Sequence, residues 1–192
     1  MQECYYNYML IHKLYSNVIV PKRQTDLSAC YDIHAHLRSG VVSEDRTPEF
    51  RKIKMIDRMN HTTEVMPETV WHSDSPHTTI TIPANTRALI PTGIVFDVEA
   101  EYSIRMHPRS GLAWKHGVTM INCEGVIDAD YSEEVFIPLF NASEVPYVVE
   151  HGDRVAQFEI VRYYDTITFI TATEAEAKRK TNRIGGFGST GV

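Results

Sequence analysis

Apolar and polar positions alternate in short runs along most of the chain. "NVIVP" (17–21), "TTITIPANTRALIPTGIVFDV" (78–98), "YSIRMHP" (102–108), "VTMINCEGVID" (118–128), "VFIPLFN" (135–141) and "YDTITFITAT" (164–173) are rich in Val, Ile, Thr, Tyr and Phe. Such residues fit a pleated, half-buried surface, and a period of two predicts strands. Proline, glycine and Asn-Ala breaks fall between the runs at short spacing, the rhythm of an all-β sandwich or barrel. The longest run reads as two strands joined at "PAN" (83–85). Pro91 then belongs at an edge or bulge, because proline cannot donate to a sheet ladder. Helix is scarce. "PRSGLAWKHG" (108–117) predicts one short helix, and "TEAEAKRK" (173–180) a charged turn.

Two stretches break the rhythm. Residues 43–77, "SEDRTPEFRKIKMIDRMNHTTEVMPETVWHSDSPH", are charged and carry proline and methionine without clear periodicity. They read as an insertion, partly ordered as a hairpin, within a single domain over 1–182. The chain ends in "RIGGFGSTGV", with four of its ten glycines in the last eight residues. Glycine is costly to order, so 183–192 reads as a flexible tail. A tail needed only for solubility would require neither Phe187 nor the hydroxyls of Ser189 and Thr190, so this one is expected to close over something.

Composition narrows the function. The chain has 192 residues, 43% hydrophobic and 23% charged, ordinary for one soluble globular domain. No apolar run approaches the roughly 18–20 residues that span a bilayer, and "MQECYYNYML" lacks the pattern of a secretion signal. Three scattered cysteines, Cys4, Cys30 and Cys123, predict neither a disulfide framework nor zinc, and a cytoplasmic location is expected. A net charge of −6 argues against direct nucleic-acid binding, which needs basic stripes. A small polyanion is compatible with it if a few arginines converge.

Four short segments carry candidate chemistry. Arg109, Ser110 and Gly111 stand where a strand hands over to the helix, and would make an anion site or an ordinary helix start. Asp128 ends the apolar run "GVID", as a general base or as a turn aspartate bonding its own backbone. Arg154 and Gln157 are three apart; they face opposite ways in a regular strand but can converge in a turn entering one, to grip a phosphate chain, or Arg154 is a surface salt-bridge arginine. Asp32 lies among alternating apolar residues in "LSACYDIHAHL", as a partner for an arginine or a metal-facing acid. His34 and His36 share one side of that strand and read as a surface pair.

In this order, "SACYDIHA", "PRSGLA", "GVIDADY", "RVAQ" and "GGFGSTG" resemble the five motifs of the trimeric dUTPase family. The resemblance runs from about residue 9 to the end, omitting 43–77. It implies a distorted jelly-roll β-barrel in a homotrimer with shared active sites, hydrolysing dUTP to dUMP and pyrophosphate with Mg²⁺. By that resemblance Asp128 activates the attacking water. Arg109, Ser110, Arg154 and Gln157 grip phosphates, and Gly111 belongs to the same motif. Asn122 and the backbone around Gly125 read the uracil edge, and Tyr131 packs under deoxyribose. A neighbour's tail closes the site, with Phe187 on the uracil, Gly188, Ser189 and Thr190 toward the phosphates, and Arg183 reaching the γ-phosphate through a shifted loop. Asp32 matches a metal-facing acid acting through water.

The chain departs from the family pattern in three places. Cys30 and Glu133 stand where glycine is usual, and Arg183 lies one position closer to the stacking Phe than the family's tail arginine, with Asn182 in that place. A sister activity, dCTP deamination, needs acid–base groups where this chain has Trp114 and Pro138, and it lacks the glycine lid. A nucleotide-sensing regulator contacting a protein partner through 43–77 is the rival from another class.

Overall fold

The computed structural model of the protein describes residues 9–41, 48–72 and 75–163. The predicted strand at 164–173, the charged turn at 173–180 and the tail lie outside these residues. In chain order the elements are β1 (Leu10–Lys13), β2 (Tyr31–His34), β3 (Arg38–Val41), β4 (Pro48–Phe50), β5 (Ile53–Ile56), β6 (Thr62–Val65), β7 (Glu68–His72) and β8 (Ser75–Ile82). They continue as β9 (Thr86–Pro91), β10 (Ile94–Asp97), β11 (Tyr102–His107), α1 (Ser110–His116), β12 (Val118–Met120), β13 (Gly125–Ile127), β14 (Phe136–Asn141), β15 (Tyr147–Glu150) and β16 (Arg154–Arg162). The all-β expectation holds.

Two antiparallel sheets carry most of the core, ordered β13-β11-β16-β2 and β12-β14-β9-β5-β6. A third, β15-β8-β7, and the pairs β1-β10 and β3-β4 complete the described strands. Their inward positions are mostly branched aliphatics: Ile33, Ile53, Ile82, Ile90, Ile104 and Ile137 are fully buried in one cluster. β14 shows the cause, since Ile137 and Leu139 point inward while Phe136 and Phe140 alternate outward. No helix among the described residues is long and apolar enough to cross a membrane.

The "PAN" turn joins β8 and β9 as predicted, but the two strands belong to different sheets, so the turn is a corner. Asn85 takes a left-handed conformation there (φ 55°). The buried Asn141 amide fixes the corner by donating to the carbonyls of Ile82 (3.0 Å) and Pro83 (3.2 Å). Pro91 ends β9 beyond the last β5 pair, where its missing N–H costs no ladder bond. The helix falls within the predicted span. It stops at Gly117, whose φ of +67° and tight approach to Ser143 suit only glycine.

Within residues 43–77, β5 and β6 form a hairpin whose turn is held by Asp57 Oδ1 accepting from the amides of Met59 and His61. β5 also pairs with β9, and Ile53 and Met55 are buried, so this part of the segment contributes to the core.

Two expectations need correction. "NVIVP" forms no strand: Val18 turns back to bond Tyr15 and is the one buried residue of the Val-Ile-Val run, while Ile19 and Val20 face solvent. The "HAH" histidines are not a surface pair either. His34 and His36 are both buried, and the His36 ring stacks on Tyr15 (5.1 Å) beside His151 (4.9 Å).

That burial makes stability depend on pH. Desolvation, reinforced by His151 and Arg51, pushes the His36 imidazole down to about 4. Desolvation and Arg38 do the same to His151, against Glu150, also to about 4. The Leu37 amide donates to His151 Nδ1 (3.0 Å), which therefore stays unprotonated. Both groups are neutral when folded but take up protons below about 6.5 when unfolded. Their contribution is complete above that pH and is lost as pH falls toward 4, by at most about 1.4 kcal/mol per pH unit for each. Urea midpoints measured between pH 7.5 and 5 should fall accordingly. His36→Phe, which keeps the stack, should flatten the slope; an unchanged slope would contradict this account.

Candidate functional site

Asp32 organises one half of the site. It sits on β2, nearly buried, level with Gln157 of β16 and, one strand further, His107 of β11. Arg109 Nε lies 3.3 Å from its Oδ1, and Arg154 Nη1 3.2 Å from its Oδ2. Each carboxylate oxygen thus meets a different guanidinium. Arg109 also donates from Nη1 to the Arg154 carbonyl (3.1 Å), and Gln157 Nε2 to the Pro108 carbonyl (3.0 Å). The two arginines outnumber the carboxylate, and nearby His34 adds no charge, because desolvation holds its imidazole below the usual range. The cluster is locally cationic in an anionic chain, as a phosphate site requires.

A β-bulge explains how Arg154 and Gln157 converge. Arg154 pairs with His34, but Ala156 already pairs with Ile33, so Val155 is an extra residue on β16. The bulge cancels the odd spacing that would otherwise send the two side chains to opposite faces. Sequence alternation alone could not reveal it. Ser110 and Gly111 begin α1, both exposed, and a Cβ on Gly111 would meet nothing within 4 Å. Packing among the described residues does not require that glycine.

The other half lies in the hairpin around β13. Gly125 is closely packed: a Cβ there would come within 3.1 Å of Asn122 Nδ2 and 3.3 Å of Met106 Cβ, so a larger residue would need these neighbours to give by a few tenths of an ångström. Asp128 follows β13, exposed, in a turn closed by the Tyr131 amide donating to its carbonyl (3.1 Å). Tyr131 walls an open groove of about 430 Å³ with Phe96, Ala129 and Ser132. Its hydroxyl donates to the Glu134 carbonyl (2.8 Å), and burial with Glu133 and Glu134 nearby raises its pKa. Among the described non-glycine residues only Asn60 and Asn85 have positive φ. Cys30 and Glu133 therefore replace the family's glycines without backbone strain.

These halves do not meet within one chain. Asp32 is level with His107 on β11, whereas Ile127 pairs with Ile104, placing Asp128 level with Ser103. Four residues along the strands and three strand spacings separate them by roughly 20 Å. Arg183, Phe187, Gly188, Ser189 and Thr190 lie outside the described residues. Both Asp32 oxygens are engaged by arginines, and no cluster of three metal-type side chains occurs among the described residues. Among the described residues that donor set offers no protein cage for Mg²⁺.

A second buried ion pair leaves no local signal in the sequence. Arg51 Nη1 donates to Glu134 Oε1 (2.6 Å) and its other terminal nitrogen pairs with Oε2, both side chains being largely buried. The partners are 83 residues apart, and only the fold brings them together.

The dUTPase family model matches residues 75–191, well over half of the chain. The chain belongs to the dUTPase family. Among its relatives, the deoxyuridine 5′-triphosphate nucleotidohydrolase of Finegoldia magna is 46% identical over 113 residues, 58% of this chain and 76% of that protein. The Rhizobium etli (strain CIAT 652) enzyme is 43% identical over 114 residues, 59% of this chain and 70% of its own. In fold, this dUTPase is similar to that of Staphylococcus bacteriophage 80alpha (TM-score 0.67, 20% identity, 97% of this chain and 100% of the other). It is also similar to the dUTPase of S. aureus phage phi11, described with a structural Mg(II) ion (TM-score 0.61, 18% identity, 89% and 100% covered). The jelly-roll architecture of the family is thus the fold of this dUTPase.

Asp32→Ala should destabilise the protein by about 2 kcal/mol. This is below the 3–5 kcal/mol typical of a broken buried pair, because the part-exposed guanidinia can re-solvate. Urea unfolding checks it, and a variant as stable as the parent would refute the role of Asp32 as the shared counter-charge.

Proposed function

We propose that this dUTPase hydrolyses dUTP to dUMP and pyrophosphate at sites formed between copies of the chain in a homotrimer, with Asp128 as the general base. The reaction limits uracil incorporation into DNA and supplies dUMP. The observation that carries the shared-site reading is the separation of the half-sites. A base must stand within hydrogen-bond reach of the water it deprotonates, and Asp128 is too far from the arginines of its own chain to serve phosphates they hold.

Asp128 takes a proton from water as the water oxygen attacks the α-phosphorus. The bond from that phosphorus to the bridging oxygen breaks, and pyrophosphate leaves. Arg109, Arg154, Ser110 and Gln157 hold the phosphate chain in line, so charge developing on its oxygens meets fixed donors. Mg²⁺, when bound with the triphosphate, would supply further charge neutralisation. Backbone groups of the Asn122–Gly125 hairpin read the uracil edge, where cytosine would leave buried groups unpaired. Tyr131 packs under deoxyribose and disfavours a 2′-hydroxyl. The tail of 183–192 closes the site, with Phe187 over the base and Gly188, Ser189 and Thr190 at the phosphates.

Pyrophosphate release from dUTP, dCTP, dTTP and UTP with Mg²⁺ tests this reading. Release should be selective for dUTP, falling by about 10²–10⁴ in Asp128→Ala and collapsing in a chain that ends at Arg183. Full activity in either variant would remove the corresponding assignment, and ammonia from dCTP would replace hydrolysis by deamination.

A further inference from the structure

We infer that Arg51 is a positioning residue for the nucleoside end of the dUTP site, acting through Glu134 on Tyr131. The inference rests on the placement of Tyr131 under deoxyribose proposed above. Arg51 lies between β4 and β5, ahead of the span that matches the family model. Its guanidinium forks onto both oxygens of Glu134, lies over the Tyr15 ring (5.2 Å) and reaches the His36 carbonyl (3.4 Å). Glu134 Oε1 accepts a further bond from the Gly93 amide (2.6 Å). The carboxylate is therefore tied to two elements outside its own loop.

What it ties down is the turn that carries the proposed chemistry. The Tyr131 hydroxyl is anchored on the backbone carbonyl of Glu134, and the Tyr131 amide closes the turn onto Asp128. Immediately after Glu134, the Val135 amide donates to Ile94, and its carbonyl accepts from Thr92 Oγ1 (2.6 Å). Glu134 is thus the first fixed point after the loop 128–133. Without Arg51 its buried carboxylate keeps one neutral donor, Gly93, against the cost of burying a charge. Displacement of the whole Glu134 residue toward water relieves that cost, and its main-chain carbonyl, the Tyr131 anchor, moves with it. A small displacement of a positioning group is enough to degrade selection.

The test compares kcat and KM for dUTP and UTP in Arg51→Met, Arg51→Lys, Glu134→Gln and Tyr131→Ala, with thermal unfolding of each. Arg51→Met should raise KM for dUTP and lower the dUTP-over-UTP preference by about tenfold, leaving kcat nearly intact. Arg51→Lys, which keeps the charge without the fork, should recover part of the preference. Should the methionine variant not fold, Arg51→Lys and Glu134→Gln carry the same comparison, with smaller losses expected. A lowered melting temperature with KM and preference unchanged would reduce Arg51 to a stability role and overturn the inference. If Tyr131→Ala itself keeps the wild-type preference, the placement of Tyr131 fails and the inference with it. A loss in Tyr131→Ala with none in the Arg51 and Glu134 variants overturns the inference alone.

Discussion

The architecture of the phosphate half depends on one carboxylate held between two guanidinia. Arg109 and Arg154 belong to segments 45 residues apart, and like charges brought together would repel. Asp32 arrives from a third segment, on the strand next to β16, and gives each arginine one oxygen. The cluster keeps net positive charge because it has two cations to one anion. This reconciles an overall charge of −6 with a polyanionic substrate. Electrostatic recognition here is local, and whole-chain charge speaks only to long-range partners such as nucleic acid.

A second constraint follows from sheet geometry. In β13-β11-β16-β2 the hairpin that ends in Asp128 and the strand that carries Asp32 occupy opposite edges and opposite levels. No rotamer of an aspartate spans such a distance. Each half is nevertheless well braced from behind: the bulge at Val155 and the Pro108 carbonyl fix the cationic half, while Gly125 and the Arg51–Glu134 pair fix the hairpin half. Two half-sites that are rigid but apart suit assembly from neighbouring copies better than a hinge within one chain.

Much of this was legible in the sequence because it is encoded locally. Alternation marked β8, β9, β11 and β14, and the glycine closing "PRSGLAWKHG" marked the end of α1. The motif strings identified the family and its expected chemistry. What was not legible depends on partners distant in sequence. The "HAH" histidines look exposed in the sequence, but both are buried, His36 beneath Tyr15 and His151. "NVIVP" has strand composition, but among the described residues no strand pairs with it. Arg51 reads as one charge among many in an irregular segment, and only β5 pairing with β9 carries it to Glu134. A bulge, likewise, leaves no trace in a period-two pattern.

The most direct test of the shared site is to mix chains carrying Asp128→Ala with chains carrying Arg109→Ala, after unfolding and refolding them together. Each variant alone should be nearly inactive. If the base and the arginines of one site come from different copies, random mixing restores intact pairs in about a quarter of sites, and activity returns to about that fraction of the parent. If both groups serve the same site from one chain, no combination is intact. The mixture would then stay as inactive as its components, contradicting the account.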